Sequence, residues 1–159
     1  MEPTVRRANR DDVPALCAVR FALFDELGRA DGDHAAFAEA CRESHERGLA
    51  SDRLVAWIAD VDVSEAPHGV AATLTLLVRE RLPTPTNLAQ LEGYVVGVVT
   101  APAWRGRGLG TRLLELAVAE SRRRGLARLR LHATSEGRRL YERVGFRLRD
   151  DGMELVLGP

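Results

Sequence analysis

The stretch Val98-Val99-Thr100-Ala101-Pro102-Ala103-Trp104-Arg105-Gly106-Arg107-Gly108-Leu109-Gly110-Thr111 holds a strand end, a turn and a helix start in direct succession. Its β-branched opening reads as a strand, and Pro102 breaks the ladder. Three alternating glycines follow, where Leu109, Leu113, Leu114, Leu116, Ala117 and Val118 begin a helical periodicity that stops at Gly125. The first N–H groups of a helix lack intrahelical partners and lie at the positive end of its dipole. Glycines let a ligand approach that backbone closely. The turn is therefore suited to a pyrophosphate, with Arg105, Arg107 and Arg112 adding charge at its rim. It is not a P-loop, because no Gly-Lys-Ser/Thr follows. It also lacks the glycine spacing and the βαβ opening of the Rossmann fingerprint. Taken alone, a plain structural turn explains it as well.

The flanking pattern gives an order of elements. Residues 5–8 form a short strand, and Asp11 or Asp12 caps a helix with Pro14 in its first turn and Gly28 at its end. A second helix covers about 33–47 and stops at Gly48. Residues 53–63 and 70–78 pair as antiparallel strands around Pro67-His68-Gly69. Residues 81–90, with Pro83, Pro85 and Asn87, form a surface loop. Residues 91–100 are the strand entering the glycine turn. Beyond the long helix, 128–132 alternates Arg and Leu as a half-buried strand, and 135–144 is a helix ending at Gly145. Residues 146–149 and 153–157 close as a hairpin around Asp150-Asp151-Gly152. The expected fold class is α/β of the α+β type: a mixed, mostly antiparallel sheet flanked by helices, in a single domain over 1–159.

Composition agrees with an ordinary globular chain of 159 residues, 45% hydrophobic and 29% charged, with zero formal net charge and a pI near 6.9. That balance gives no bulk attraction to nucleic acid or an anionic membrane, so neither is expected as a partner. All 23 cationic residues are arginine, which excludes lysine Schiff-base chemistry. Cys17 and Cys41 fall in apolar-periodic helical segments and read as buried reduced thiols. No Cys/His cluster is evident in the spacing, so no metal is expected. The polar N-terminus and the lack of an apolar run near the roughly 20 residues that span a bilayer predict a cytoplasmic protein.

The pattern R-x-x-G-x-G at Arg105, Gly108 and Gly110 resembles the acyl-CoA signature of the GNAT superfamily of N-acetyltransferases, as do the preceding Val-Thr-Ala-Pro and Trp104-Arg105-Gly106. A second stretch, Gly137-Arg138-Arg139-Leu140-Tyr141-Glu142-Arg143-Val144-Gly145-Phe146, resembles that family's later helix, N-x-x-A-x-x-φ-Y-x-x-x-G-F. Two departures stand out: Thr134 where many relatives carry Asn, and Gly137 where Ala is common. The resemblance implies the GNAT fold, acetyl-CoA as co-substrate, and direct attack of an amine on the thioester in a ternary complex. It assigns cofactor binding to Val98, Val99, Thr100, Arg105, Gly106, Arg107, Gly108, Leu109, Gly110, Thr111, Thr134, Gly137 and Tyr141. Val98 and Thr100 would pair with the pantetheine arm through their main chains, and the N–H groups of 105–111 would hold the pyrophosphate.

Tyr141 matches the family's tyrosine that protonates the departing CoA thiolate. Glu92, on the strand entering the motif, stands where several relatives carry a general base. Period two places it on one face with Tyr94, Val96 and Val98 unless a bulge intervenes. His132 is the runner-up base, imidazole being the side chain that changes charge nearest neutrality. His34, His45 and His68 read as surface residues. Acceptor contacts in the family come from segments matching 24–33 and 81–90, and the first holds Asp25, Glu26, Asp31 and Asp33. The expected acceptor is a primary amine of a small molecule, peptide or protein, and the family's habit admits a homodimer. A non-catalytic acyl-CoA sensor and a toxin-like aminoacyl-tRNA acetyltransferase are the alternatives.

Overall fold

The computed structural model describes residues 2–149 and 154–157. Five strands form one sheet in the order β1 (Thr4–Arg7), β2 (Leu54–Asp60), β3 (Val70–Glu80), β4 (Leu91–Thr100) and β5 (Leu129–Arg130). The first four pair antiparallel in sequence, while β5 lies parallel to β4. A parallel neighbour needs a crossover connection. That crossover is the helix α3 (Leu109–Arg123) which follows the glycine turn.

The expected class, a mostly antiparallel mixed sheet flanked by helices, is what forms. Before α1 (Val13–Glu26), the cap lies two to three residues earlier than expected. The Asn9 side chain accepts from Asp11 N–H at 2.7 Å, and Asp12 Oδ2 accepts from Asn9 N–H at 2.8 Å, a reciprocal cap on a single 3₁₀ turn. α2 (His34–Ala50) starts where Asp33 accepts from Ala36 N–H at 3.0 Å. It does not stop at Gly48. An added Cβ there would lie 2.6 Å from Leu54 Cβ, so this glycine serves the close packing of α2 on β2 rather than termination.

β5 is only two residues long, against the five expected, and α4 (Arg138–Val144) starts later than residue 135. The closing hairpin does not appear: residues 146–149 and 154–157 form no strand, and its expected turn lies outside the described residues.

The larger core lies between the sheet and α3. Val55, Trp57, Leu74, Leu76 and Val95 meet Leu109, Leu113, Leu114 and Ala117, and the last three helix residues are fully buried. These are four of the six positions that the sequence periodicity marks, Leu116 being exposed and Val118 half-buried. Each buried leucine removes enough apolar area for Leu→Ala to cost about 2–5 kcal/mol. A smaller cluster of Leu16, Leu54, Ala56 and Ile58 lies on the opposite face, under α1.

Candidate active site

The site begins where β4 loses β5 while keeping β3. β5 pairs with β4 only at Gly93↔Leu129 and Tyr94↔Arg130, so the second half of β4 runs on without β5. On the other side, Thr75 pairs with Val96 but Thr73 pairs with Val99, so β4 holds one extra residue. Gly97, at φ +67°, absorbs this bulge in a conformation that favours glycine. The bulge reverses the alternation beyond it. Val98 therefore leaves the face of Glu92, Tyr94 and Val96 and packs against the main core, where Gly110 faces it. The expectation that Val98 shares Glu92's face does not hold. An open strand edge, a bulge and a tight turn thus coincide at residues 96–108.

The turn has the geometry an anion needs. Gly106 and Gly108 lie at φ +76° and +78°, and a Cβ on either would meet nothing within 4 Å. Gly108 is the N-cap of α3 and no side chain caps that helix end. The leading N–H groups, of Leu109, Gly110 and Thr111, therefore have no capping side chain and lie at the positive end of the dipole. Gly110 serves packing instead, since its Cβ would lie 3.0 Å from Leu140 of α4. A cavity of about 340 Å³ borders the turn, lined by Trp104, Arg107, Gly108, Leu109 and Arg112 together with Glu2 and Pro3. The Arg107 guanidinium stacks 4.5 Å from the Trp104 ring centroid, and Trp104 Nε1 donates to the Glu65 carbonyl at 3.3 Å. Arg105 turns away from the rim. Its Nε donates to Thr100 O at 3.1 Å and its Nη2 to both Glu26 oxygens at 2.7 Å, which ties the corner to the end of α1.

Tyr141 lies on α4, half-buried against the main core and edge-on to Phe146 at 6.0 Å. Burial raises its phenol above the ordinary value, so it keeps its proton through the neutral range. The departure at Gly137 has a local reason. A Cβ there would come within 3.2 Å of both Tyr141 Cε2 and Thr134 Oγ1. Thr134 Oγ1 in turn accepts from Gly137 N–H at 3.1 Å, and its own hydrogen remains available to donate.

Glu92 is buried, at 6% exposure, yet it is not arranged as a base. Arg79 Nε and Arg128 Nε each donate to its carboxylate at 2.8 Å. Burial pushes the carboxyl up, but the two guanidinium groups outweigh it and hold it below the usual carboxylate range. A carboxylate so stabilised is a poor proton acceptor. Beside it, the Tyr94 hydroxyl is hydrogen-bonded to His132 Nδ1, with Arg79 stacked 4.9 Å from the Tyr94 ring centroid. His132 is exposed just past the point where β4 and β5 part. The arginine clamp was invisible in sequence, because the pairing of Arg79 with Glu92 depends on a hairpin register across the 81–90 loop.

One expectation is overturned outright. His45 is buried at 6% exposure, and Cys17, Cys41 and His45 come together between α1 and α2. The only hint in sequence is the i,i+4 spacing of Cys41 and His45. Cys17 arrives from a different helix.

The sequence model of the acetyltransferase (GNAT) family matches residues 20–146, which include the bulged strand, the glycine turn and Tyr141. The chain belongs to the GNAT acetyltransferase family. Family membership supports acyl transfer as its chemistry. No curated protein sequence matches the chain significantly. Among solved structures, this GNAT chain is similar to a predicted acetyltransferase from Clostridium acetobutylicum with acetyl-CoA, at 27% identity and a TM-score of 0.84, over 97% of this chain and 96% of that one. It is also similar to a GCN5-related N-acetyltransferase from Ralstonia eutropha, at 29% identity and a TM-score of 0.80, over 98% and 99% of the two chains. A glucosamine-6-phosphate N-acetyltransferase from Arabidopsis thaliana shares the fold at 18% identity and a TM-score of 0.71, over 99% and 100%. Among the described residues, no helix is long and apolar enough to cross a membrane.

Proposed function

We propose that the protein transfers an acetyl group from acetyl-CoA to a primary amine of a small molecule, peptide or protein, by direct attack within a ternary complex. The observation that carries this reading is the uncapped N-terminus of α3 beside the half of β4 whose β5 edge is open, with a neutral tyrosine on α4. The residues fit an acyl-CoA. The open space at Gly106 and Gly108 takes a pyrophosphate against the N–H groups of 106–111, that of Arg105 being donated to Pro102 O at 3.3 Å. The backbone of Val98, Val99 and Thr100 takes the pantetheine amides as an added strand would. Bound acetyl-CoA supplies the activated acetyl thioester.

This chain then does three things. Its bulge and turn fix the thioester relative to the amine, an effect that can account for much of the rate. A main-chain N–H near Val98 or Val99 polarises the thioester carbonyl. Tyr141 Oη holds a proton for the departing sulfur. The amine's own proton passes to His132, oriented by Tyr94, in place of Glu92. Asp25, Asp31 and Asp33, at the end of α1 and the start of α2, offer negative charge to a cationic acceptor.

Release of free CoA thiol, followed with a chromogenic disulfide across a panel of amines, tests the proposal. Turnover with at least one amine supports it. Tight acetyl-CoA binding without turnover on any amine favours the sensor reading instead.

A further inference from the structure

Cys17 on α1 faces Cys41 and His45, one turn apart on the same side of α2. Cys17 Sγ lies 3.8 Å and Cys41 Sγ 3.6 Å from His45 Nδ1, and the three ligand atoms fall within 4.8 Å of one another. These separations have a chemical meaning. Around a tetrahedral Zn²⁺ with Zn–S of about 2.3 Å and Zn–N of about 2.0–2.1 Å, the S···N edge is about 3.6 Å, which both S···N separations match. The S···S edge is about 3.8 Å, which the two sulfurs, within 4.8 Å of each other, would reach by a side-chain adjustment. Cys41 and His45 are 7% and 6% exposed, whereas Cys17 is half-buried, so the cluster is dry on one side and reachable from the other. None of the three serves the acetyl-transfer corner.

We propose that Cys17, Cys41 and His45 form a binding site for one thiophilic divalent cation, with Zn²⁺ the best match and the fourth position open to water or an external ligand. Two thiolates and a neutral imidazole are the soft donors such ions select. The protons balance simply: each thiol releases one to solvent. His45 Nδ1 now touches its own helix at Cys41 O, 2.8 Å away. On binding, the ring proton sits on Nε2 and Nδ1 turns to the metal. Two thiolates neutralise the dication, so nearby Arg20, which stacks 5.0 Å from the Phe24 ring, is not repelled. A bound ion would cross-link α1 to α2 without any disulfide.

The test is a titration of the metal-stripped, reduced full-length protein with Co²⁺, followed by displacement with Zn²⁺. Expected is a 1:1 complex showing thiolate-to-cobalt charge-transfer absorption that Zn²⁺ bleaches. Cys41→Ser and Cys17→Ser should each weaken Co²⁺ binding at least tenfold and reduce the charge-transfer intensity, and His45→Gln should weaken binding while keeping that absorption. Circular dichroism identifies any variant that fails to fold, in which case the spectrum of the remaining variants decides. Absence of charge-transfer absorption at stoichiometric Co²⁺ overturns the proposal. So does binding unchanged in both serine variants, or loss of both thiols to a Cys17–Cys41 disulfide under the same reducing conditions.

Discussion

Glu92 on β4 accepts a 2.8 Å hydrogen bond from Arg128 Nε, and this bond ties the entry of β5 to the strand that leads into the glycine turn. Arg79 of β3 closes on the same carboxylate from the other side, so one buried acid joins three neighbouring strands of the sheet. Its position keeps β4 and β5 together at Gly93 and Tyr94, just before they separate. The clamp fixes the apex of the opening rather than supplying chemistry inside it.

Glu92→Gln should therefore act on stability. Both arginines are about half exposed, at 49% and 45%, so water softens the loss of their partner. A cost of about 1–2 kcal/mol is expected, or roughly 3–6 °C in Tm. Differential scanning calorimetry measures it, and the pH–rate profile should keep its shape. A displaced ascending limb would return Glu92 to the role of base.

Tyr141→Phe should lower kcat by 10²-fold or more, with the Kd for acetyl-CoA changed less than threefold. The Tyr141 hydroxyl makes no hydrogen bond to a described protein group, so the melting temperature should hold within about 2 °C. Stopped-flow turnover together with calorimetric binding separates the two effects. Full activity would remove Tyr141 from the mechanism.

Gly108→Glu should weaken acetyl-CoA binding by at least 10²-fold while leaving a folded chain. No atom lies within 4 Å of its Cβ, so the fold pays only for a non-glycine residue at φ +78°, about 1 kcal/mol. The introduced carboxylate would occupy and repel the phosphate position. Retained affinity in isothermal titration would move the pyrophosphate elsewhere.

His132→Asn should lower kcat/KM by about 10-fold or more near neutrality. Tyr94→Phe, which frees the imidazole from its partner, should lower it by a smaller factor. Unchanged kcat/KM in both variants would assign the amine's proton to water alone.

Glu120, on α3, gives a stability prediction with a defined pH window. Hydrogen bonds from Arg123 and Arg124 outweigh the effect of burial and bring its pKa to about 2. A carboxyl depressed in the folded state stabilises fully above its unfolded value, near 4.3, and that contribution disappears as pH falls toward 2. With Arg123 largely exposed, the contribution should be about 1–2 kcal/mol. Urea unfolding at pH 7, 4 and 3 should show the wild-type advantage over Glu120→Gln shrinking with acidity.

The two halves of the site were not equally legible. The glycine turn and the Tyr141 helix are local: neighbouring residues in the chain set their conformation, so spacing alone located them, and the resemblance to the family supplied their expected roles. Glu92 looked like a base because it lies on the strand entering the glycine turn, where several relatives carry one. The groups that decide its protonation, Arg79 and Arg128, lie 13 and 36 residues away. Val98 misled for a related reason, since a single extra residue at the Gly97 bulge inverts every face beyond it.

By itself, then, the sequence determined the order of elements as far as α4 and the strand–turn–helix corner, because periodicity, glycine placement and helix dipoles act within a few residues; the acyl-CoA reading came from the resemblance of its motifs to the GNAT family. Only the tertiary structure decided which acid is neutralised, where β4 turns its side chains, how Arg105 is held by Glu26, and that Cys17 meets Cys41 and His45. Those facts depend on strand register and helix packing, which follow from how the two cores close on the sheet rather than from any local pattern.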